Sequence, residues 1–208
     1  MGGRLQGLAG SLRISPAQAP QAAASLSVSC CGAASGKRFE PLKMTPEDVS
    51  LRDIAHALSL LCRGGGHIKY FYTVGLHSLN CAREAASRGW SDRLVLACLL
   101  HDASEAYLSD IIRPVKVHLS NYLEIEEQIM QTILTHFHLG DLTPEEHALW
   151  HQIDDEMLSQ ELKSLMNGEH EMVPVPLTSE PDFRERPHEE VEEEFYQLAE
   201  SLVQKMQA

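Results

Sequence analysis

The stretch Leu94-Val95-Leu96-Ala97-Cys98-Leu99-Leu100-His101-Asp102 passes from seven consecutive apolar residues directly to an imidazole and a carboxylate. It belongs to a helix that opens at Ser91 and is apolar nearly all round, and such a helix lies at the centre of a bundle. The helix delivers His101 and Asp102 to the interior, where an isolated carboxylate costs on the order of several kcal/mol even after relaxation. Two arrangements compensate it. One is a hydrogen-bonded His–Asp pair of structural value; the other is a divalent cation, which imidazole and carboxylate both suit. The dipeptide alone leaves both open.

Working outward, helical signals dominate. Thr45-Pro46-Glu47-Asp48 offers an N-cap, a proline at the first helical position and early acids. The helix it opens carries Leu51, Ile54, Ala55, Leu58 and Leu61, and Gly64-Gly65-Gly66 stops it. A second helix runs from about Val74 to Arg88. A fourth covers about Tyr122 to His138, with Ile125, Ile129, Ile133 and Phe137 on one stripe. Thr143-Pro144-Glu145-Glu146 caps a fifth that reaches about Met166. Residues 167–187 hold four prolines and read as an irregular connection before an acidic helix from about His188 to Lys205. No strand alternation and no internal repeat stand out, so the class is all-α.

The 208 residues suit one domain with appendages, and 43% hydrophobic with 23% charged residues is a globular composition. No stretch approaches the ~20 apolar residues of a membrane span. Residues 1–39 carry Arg4, Arg13, Lys37 and Arg38 and no acid, so the chain's −13 leaves the remainder at −17. A body that acidic repels DNA and RNA, and neither nucleic acid nor membrane is expected as a partner. Of the five cysteines, Cys62, Cys81 and Cys98 sit in apolar helical contexts and read as buried free thiols. A reducing, cytoplasmic setting fits this. Residues 1–43 read as an extension without regular structure. It resembles a transit peptide, or else it precedes the true start at Met44. The folded domain then spans 44–208, with its core over 45–165.

More residues gather around His101-Asp102. Glu105 shares its helix face with both, Asp110 follows, and Arg113-Pro114-Val115-Lys116 adds two cations. His77 lies in the preceding helix among Val74, Leu79 and Cys81. In the fifth helix, Trp150, Ile153, Met157 and Leu158 form the apolar stripe. Asp154 falls inside it, and Asp155 is turned about 100° further, toward solvent. His118, His136, His138, His147 and His151 lack a ligand spacing and read as surface residues.

The order His…His-Asp…Asp resembles the HD superfamily of metal-dependent phosphohydrolases. His101-Asp102-Ala103-Ser104-Glu105, with Asp110 and Pro114-Val115-Lys116, is similar to the branch of YfbR-type 5′-deoxynucleotidases. Arg63-Gly64-Gly65-Gly66-His67 through Tyr72-Thr73-Val74-Gly75-Leu76-His77-Ser78 resembles uncharacterised bacterial and phage HD-domain proteins more closely. The likeness covers roughly residues 45–165 and implies an HD-domain helical bundle. It implies His77, His101, Asp102 and Asp154 as ligands of one divalent transition metal (Mn, Co, Fe, Ni or Zn), Glu105 at the water-handling position and Asp110 near the substrate. Two positions depart from the pattern. Leu76 stands where a polar residue usually precedes the first His. Gly64 stands where an aromatic often follows Arg63, which counts against deoxynucleotide specificity.

The expected activity is hydrolysis of a small phosphomonoester such as a nucleoside monophosphate, with Arg63, Arg113 and Lys116 meeting phosphate charge. Alternatives are phosphodiester or nucleoside-triphosphate hydrolysis on the same site, or a non-catalytic, metal-stabilised domain that binds a nucleotide or protein. Superfamily relatives form dimers, so a homodimer is a further expectation, although no pattern here marks an interface.

Overall fold

The computed structural model describes residues 31–168, 171 and 173–208. The expected N-terminal extension lies outside the described residues as far as residue 30. Residues 31–43, expected without regular structure, instead form a two-stranded antiparallel hairpin, β1 (Cys31–Gly32) and β2 (Arg38–Phe39), and a 3₁₀ turn, Pro41–Lys43. The hairpin is tied down by Ser35, whose backbone N–H and hydroxyl both donate to the Asp53 carboxylate at 2.7 Å. The rest is helical: α1 (Leu51–Leu60), α2 (Val74–Ser87), α3 (Asp92–Leu100), α4 (Glu105–Leu108), α5 (Arg113–Lys116), α6 (Ser120–His136), α7 (Pro144–Leu165) and α8 (His188–Gln207).

Helices α3 and α7 follow their sequence signals, because in each the cap chemistry sits where the apolar period begins. Ser91 accepts from the Leu94 N–H and Thr143 from the Glu146 N–H, satisfying donors that a helix start otherwise leaves unpaired. Thr45 differs. Its capping box closes only the 3₁₀ turn Pro46–Asp48, and α1 starts afresh with Ser50 as N-cap. Gly64-Gly65-Gly66 also does more than stop a helix. All three residues adopt positive φ (61°, 61° and 80°), so Arg63–Gly66 forms a left-handed turn that side chains would strain.

In α3, Leu94 through Leu100 are all buried, as a central helix requires. It packs against α2, α7 and α8, and α1 lies against α2 and α8. α8 seals this core with Val191, Phe195, Ala199 and Leu202, a stripe at helical spacing. The connection before α8 is irregular yet held. Buried Glu84 accepts from the backbone N–H groups of Thr178 and Ser179, and Asn80 exchanges hydrogen bonds with the Asp182 backbone.

Gly75, in the first turn of α2, lets that helix approach α1 closely. A Cβ there would meet the Leu58 carbonyl group and the Ser59 nitrogen at 3.2 Å. Backbone cannot swing aside, so Gly75→Val is expected to destabilise the chain by about 1–3 kcal/mol in chemical denaturation. Gly32→Val, at a site with nothing within 4 Å among the described residues, should stay within about 0.5 kcal/mol. Equal stability of the two variants would refute the close helix approach.

Candidate metal centre

Three helices bring the candidate ligands together. α3 ends at His101, its C-cap, and the chain turns through 101–104 before α4. Glu105 therefore reaches the site from a separate short helix rather than by continuing α3. His77 comes from the first turn of α2 and is fully buried. Asp154 comes from the middle of α7, with a side chain 16% exposed against 63% for Asp155.

His77 Nε2 lies 3.1 Å from His101 Nε2, 3.2 Å from Asp154 Oδ1 and 3.7 Å from Asp102 Oδ2. His101 Nε2 is 3.3 Å from Asp102 Oδ2 and 3.7 Å from Asp154 Oδ1. Donors about 2.1 Å from a shared cation stand about 3.0 Å apart at a right angle and about 3.4 Å apart at a tetrahedral one. The observed spacings fall around those values.

Hydrogen bonds settle which ring nitrogens carry protons. His101 Nδ1 is 2.8 Å from the Cys98 carbonyl, which only accepts, so Nδ1 holds the hydrogen. His77 Nδ1 is 2.6 Å from Glu161 Oε1. Burial raises the Glu161 pKa, but the charges of His77 and Arg63 outweigh it and leave an ionised acceptor. With one proton per ring, both Nε2 atoms present lone pairs to each other and to two carboxylate oxygens. That juxtaposition is repulsive unless a proton or a cation enters it. Burial lowers the pKa of both imidazoles, yet the nearby carboxylates overcome it and raise them, so protons can take the place of a cation.

Glu161 is the participant that sequence reading missed. It accepts from His77, from the Tyr72 hydroxyl at 2.9 Å and from Arg63 at 3.3 Å, and Asn80 donates to the same Tyr72 oxygen at 3.0 Å. A carboxylate behind an imidazole is the usual support of a metal-bound histidine. Its sequence signal was its place seven residues after Asp154, two turns along the same helix face.

Cys81 was read only as core. Among the described residues, His77, Cys81 and His101 offer donor atoms within 4.8 Å of one another, and Sγ is 3.6 Å from His77 Nε2. Burial, then the charges of Asp154 and Glu161, push its thiol well above the ordinary range, so it is a protonated neighbour rather than a thiolate. His118, His136, His138, His147 and His151 join no such group among the described residues.

A cleft of about 720 Å³ opens over the site. Its lining holds five carboxylates (Asp102, Glu105, Asp110, Asp154 and Glu161) against Arg63, Arg113 and Lys116, a formal excess of two negative charges. None of these cations stands free. Arg63 donates to Asp102 and Glu161, Arg113 to Asp154 at 3.0 Å and Asp155 at 2.6 Å, and Lys116 lies 2.6 Å from Glu126. Arg63, expected at the substrate, thus braces two carboxylates of the centre. Asp110 accepts from the Gly64 N–H at 3.2 Å, which gives the left-handed glycine turn a role at the site. Glu105 is buried with Oε2 unpartnered among the described residues, and Lys116 Nζ is 4.0 Å from Oε1. Burial, reinforced by Asp102 and Asp110, pushes its pKa up to about 9.

The family model for the HD domain matches residues 67–202. The uncharacterized protein YfdR of Escherichia coli (strain K12) is 35% identical over 116 residues, covering 55% of this chain and 62% of that protein. An uncharacterized protein of Rhodobacter capsulatus is 36% identical over 115 residues, covering 53% of this chain and 59% of its own. The chain thus spans about three fifths of the length of the curated relatives it matches. It belongs to the HD-domain family.

The state of Glu105 generates a stability prediction. Its folded pKa of about 9 exceeds the ordinary carboxyl value of 4.5, so the folded chain keeps a proton that the unfolded chain loses. Stability is therefore lost as pH rises between those values, at up to about 1.4 kcal/mol per pH unit. In chelator-treated protein, Glu105→Gln should gain on the wild type in unfolding free energy between about pH 5 and pH 9. Parallel pH profiles for the two proteins would show that Glu105 ionises normally.

Proposed function

We propose that this HD-domain chain is a metal-dependent phosphohydrolase that cleaves a small phosphomonoester, with His77, His101, Asp102 and Asp154 holding one divalent ion. The observation that carries the reading is the convergence of two oriented imidazole lone pairs and two carboxylate oxygens within 3.1–3.7 Å. Four protein ligands leave room for water only above four-coordination, which favours Mn, Co, Fe or Ni over a closed structural zinc site.

When bound, the ion supplies Lewis acidity to water and phosphate in the cleft. Glu105 is the residue placed to take a proton from the attacking water. Positive charge nearby favours its ionised form, which is the form that accepts. Arg63 and Glu161 hold Asp102 and His77 in position, while Arg113 and Lys116 at the cleft wall face the incoming phosphate. Asp110, anchored by Gly64, contacts the leaving group. Because every one of these cations already has a carboxylate partner, a monoester suits the cleft better than a triphosphate. The resemblance makes nucleoside monophosphates the first substrates to test.

The experiment is a phosphate-release screen on protein reconstituted with Mn, Co or Mg. Chelation should abolish release. His101→Gln and Asp154→Asn should lose the ion together with activity. Glu105→Gln should keep the ion and lower kcat by about 10²–10⁴-fold. Glu161→Gln should weaken metal affinity by about 10–100-fold. Release from triphosphates but not from monophosphates, or undiminished turnover in Glu105→Gln, would overturn the reading.

A further inference from the structure

The lining of the cleft over the centre is of two kinds. Carboxylates and cations make up part of it, and aliphatic side chains make up much of the rest: Ile68, Ile112, Leu158, Leu162, Leu165 and Met166 among them. Leu158, Leu162 and Leu165 follow Asp154 along one face of α7, and over eleven residues that helix rises about 16 Å. Leu158, Leu162, Met166 and Ile68 are only partly buried, so contact area remains to be covered. Among the described residues, no Ser, Thr, Asn, Gln, Tyr or Trp side chain lines the cleft.

We infer that the leaving group is the apolar alcohol of an alkyl-type phosphomonoester, seated along α7 from Asp154 toward Met166. This rests on the phosphohydrolase reading and assigns its substrate class. A nucleobase brings several donors and acceptors at its edge. Burying them against aliphatic walls, where His67 is the one hydrogen-bonding side chain besides the charged groups, leaves groups unpaired at about 1–3 kcal/mol each. An alkyl chain has no such cost and gains from every methylene covered. The groove is continuous with the centre, so a chain in it brings its phosphate end to the part of the cleft that holds the candidate ligands together with Arg113 and Lys116. The reaction balances without a co-reactant. Water adds to phosphorus, the P–O bond to the alcohol breaks, and the alcohol oxygen leaves with a proton from the cleft.

The test is a homologous series from ethyl to octyl phosphate against nucleoside monophosphates, with the metal-reconstituted full chain. Binding of the matching alkylphosphonates is measured in parallel by calorimetry. The expected result is a rise in kcat/KM and in phosphonate affinity of up to about fourfold per methylene until the groove is filled, with octyl phosphate ahead of every nucleotide. A flat series in both measurements, or nucleotides preferred with discrimination between bases, overturns the inference. Phosphonate affinity that climbs with chain length without turnover of any ester supports the groove and removes the phosphohydrolase reading instead.

Discussion

Two imidazole nitrogens with their lone pairs turned toward each other, 3.1 Å apart and flanked by two carboxylate oxygens, form the constraint on which this structure depends. Neither ring can relieve the contact by changing tautomer. The Cys98 carbonyl holds the proton of His101 on Nδ1, and Glu161 does the same for His77. Neither ring can swing away, because α2 and α3 are packed on each other and on α7. The fold thus concentrates negative potential at one buried point and hands its compensation to a positive species.

The surroundings extend the same logic. Arg63 answers Asp102 and Glu161, and Arg113 answers Asp154, so the candidate ligand carboxylates are braced by neighbouring cations. Glu105 is left with an oxygen unpartnered among the described residues and a retained proton. A buried carboxyl in that state lowers stability above its unfolded pKa, and positive charge brought close favours its ionised form. The left-handed turn at Gly64–Gly66 holds Asp110 at the cleft, and Glu84 with Asn80 secures the connection that leads to α8. Charge gathers along the cleft, while the core cluster is made largely of aliphatic residues.

Much of this was legible in the sequence where periodicity or capping speaks. The bounds of α3 and α7 follow from Ser91 and Thr143 and from the apolar rhythm behind each, and α2 starts at Val74, where the sequence reading put it. The choice of Asp154 over Asp155 needed only the helical period. What stayed hidden depends on tertiary contact. Glu161 looks like any acid on a half-polar helix until His77 is placed against it. Arg63 looks like a free cation until Asp102 and Glu161 claim it. The glycine run reads as a stop because sequence does not show that its backbone N–H meets Asp110. The hairpin at Cys31–Phe39 escaped because its strands are two residues long and its anchor, Ser35 to Asp53, joins distant positions.

The most direct test of the central claim is X-ray absorption on the cobalt-loaded chain, with elemental analysis of the same sample. The account predicts one ion per chain, bound by two imidazoles and oxygen donors, with sulfur absent from its coordination sphere. An ion bound through the Cys81 sulfur, or a chain that holds no ion at all, would contradict it.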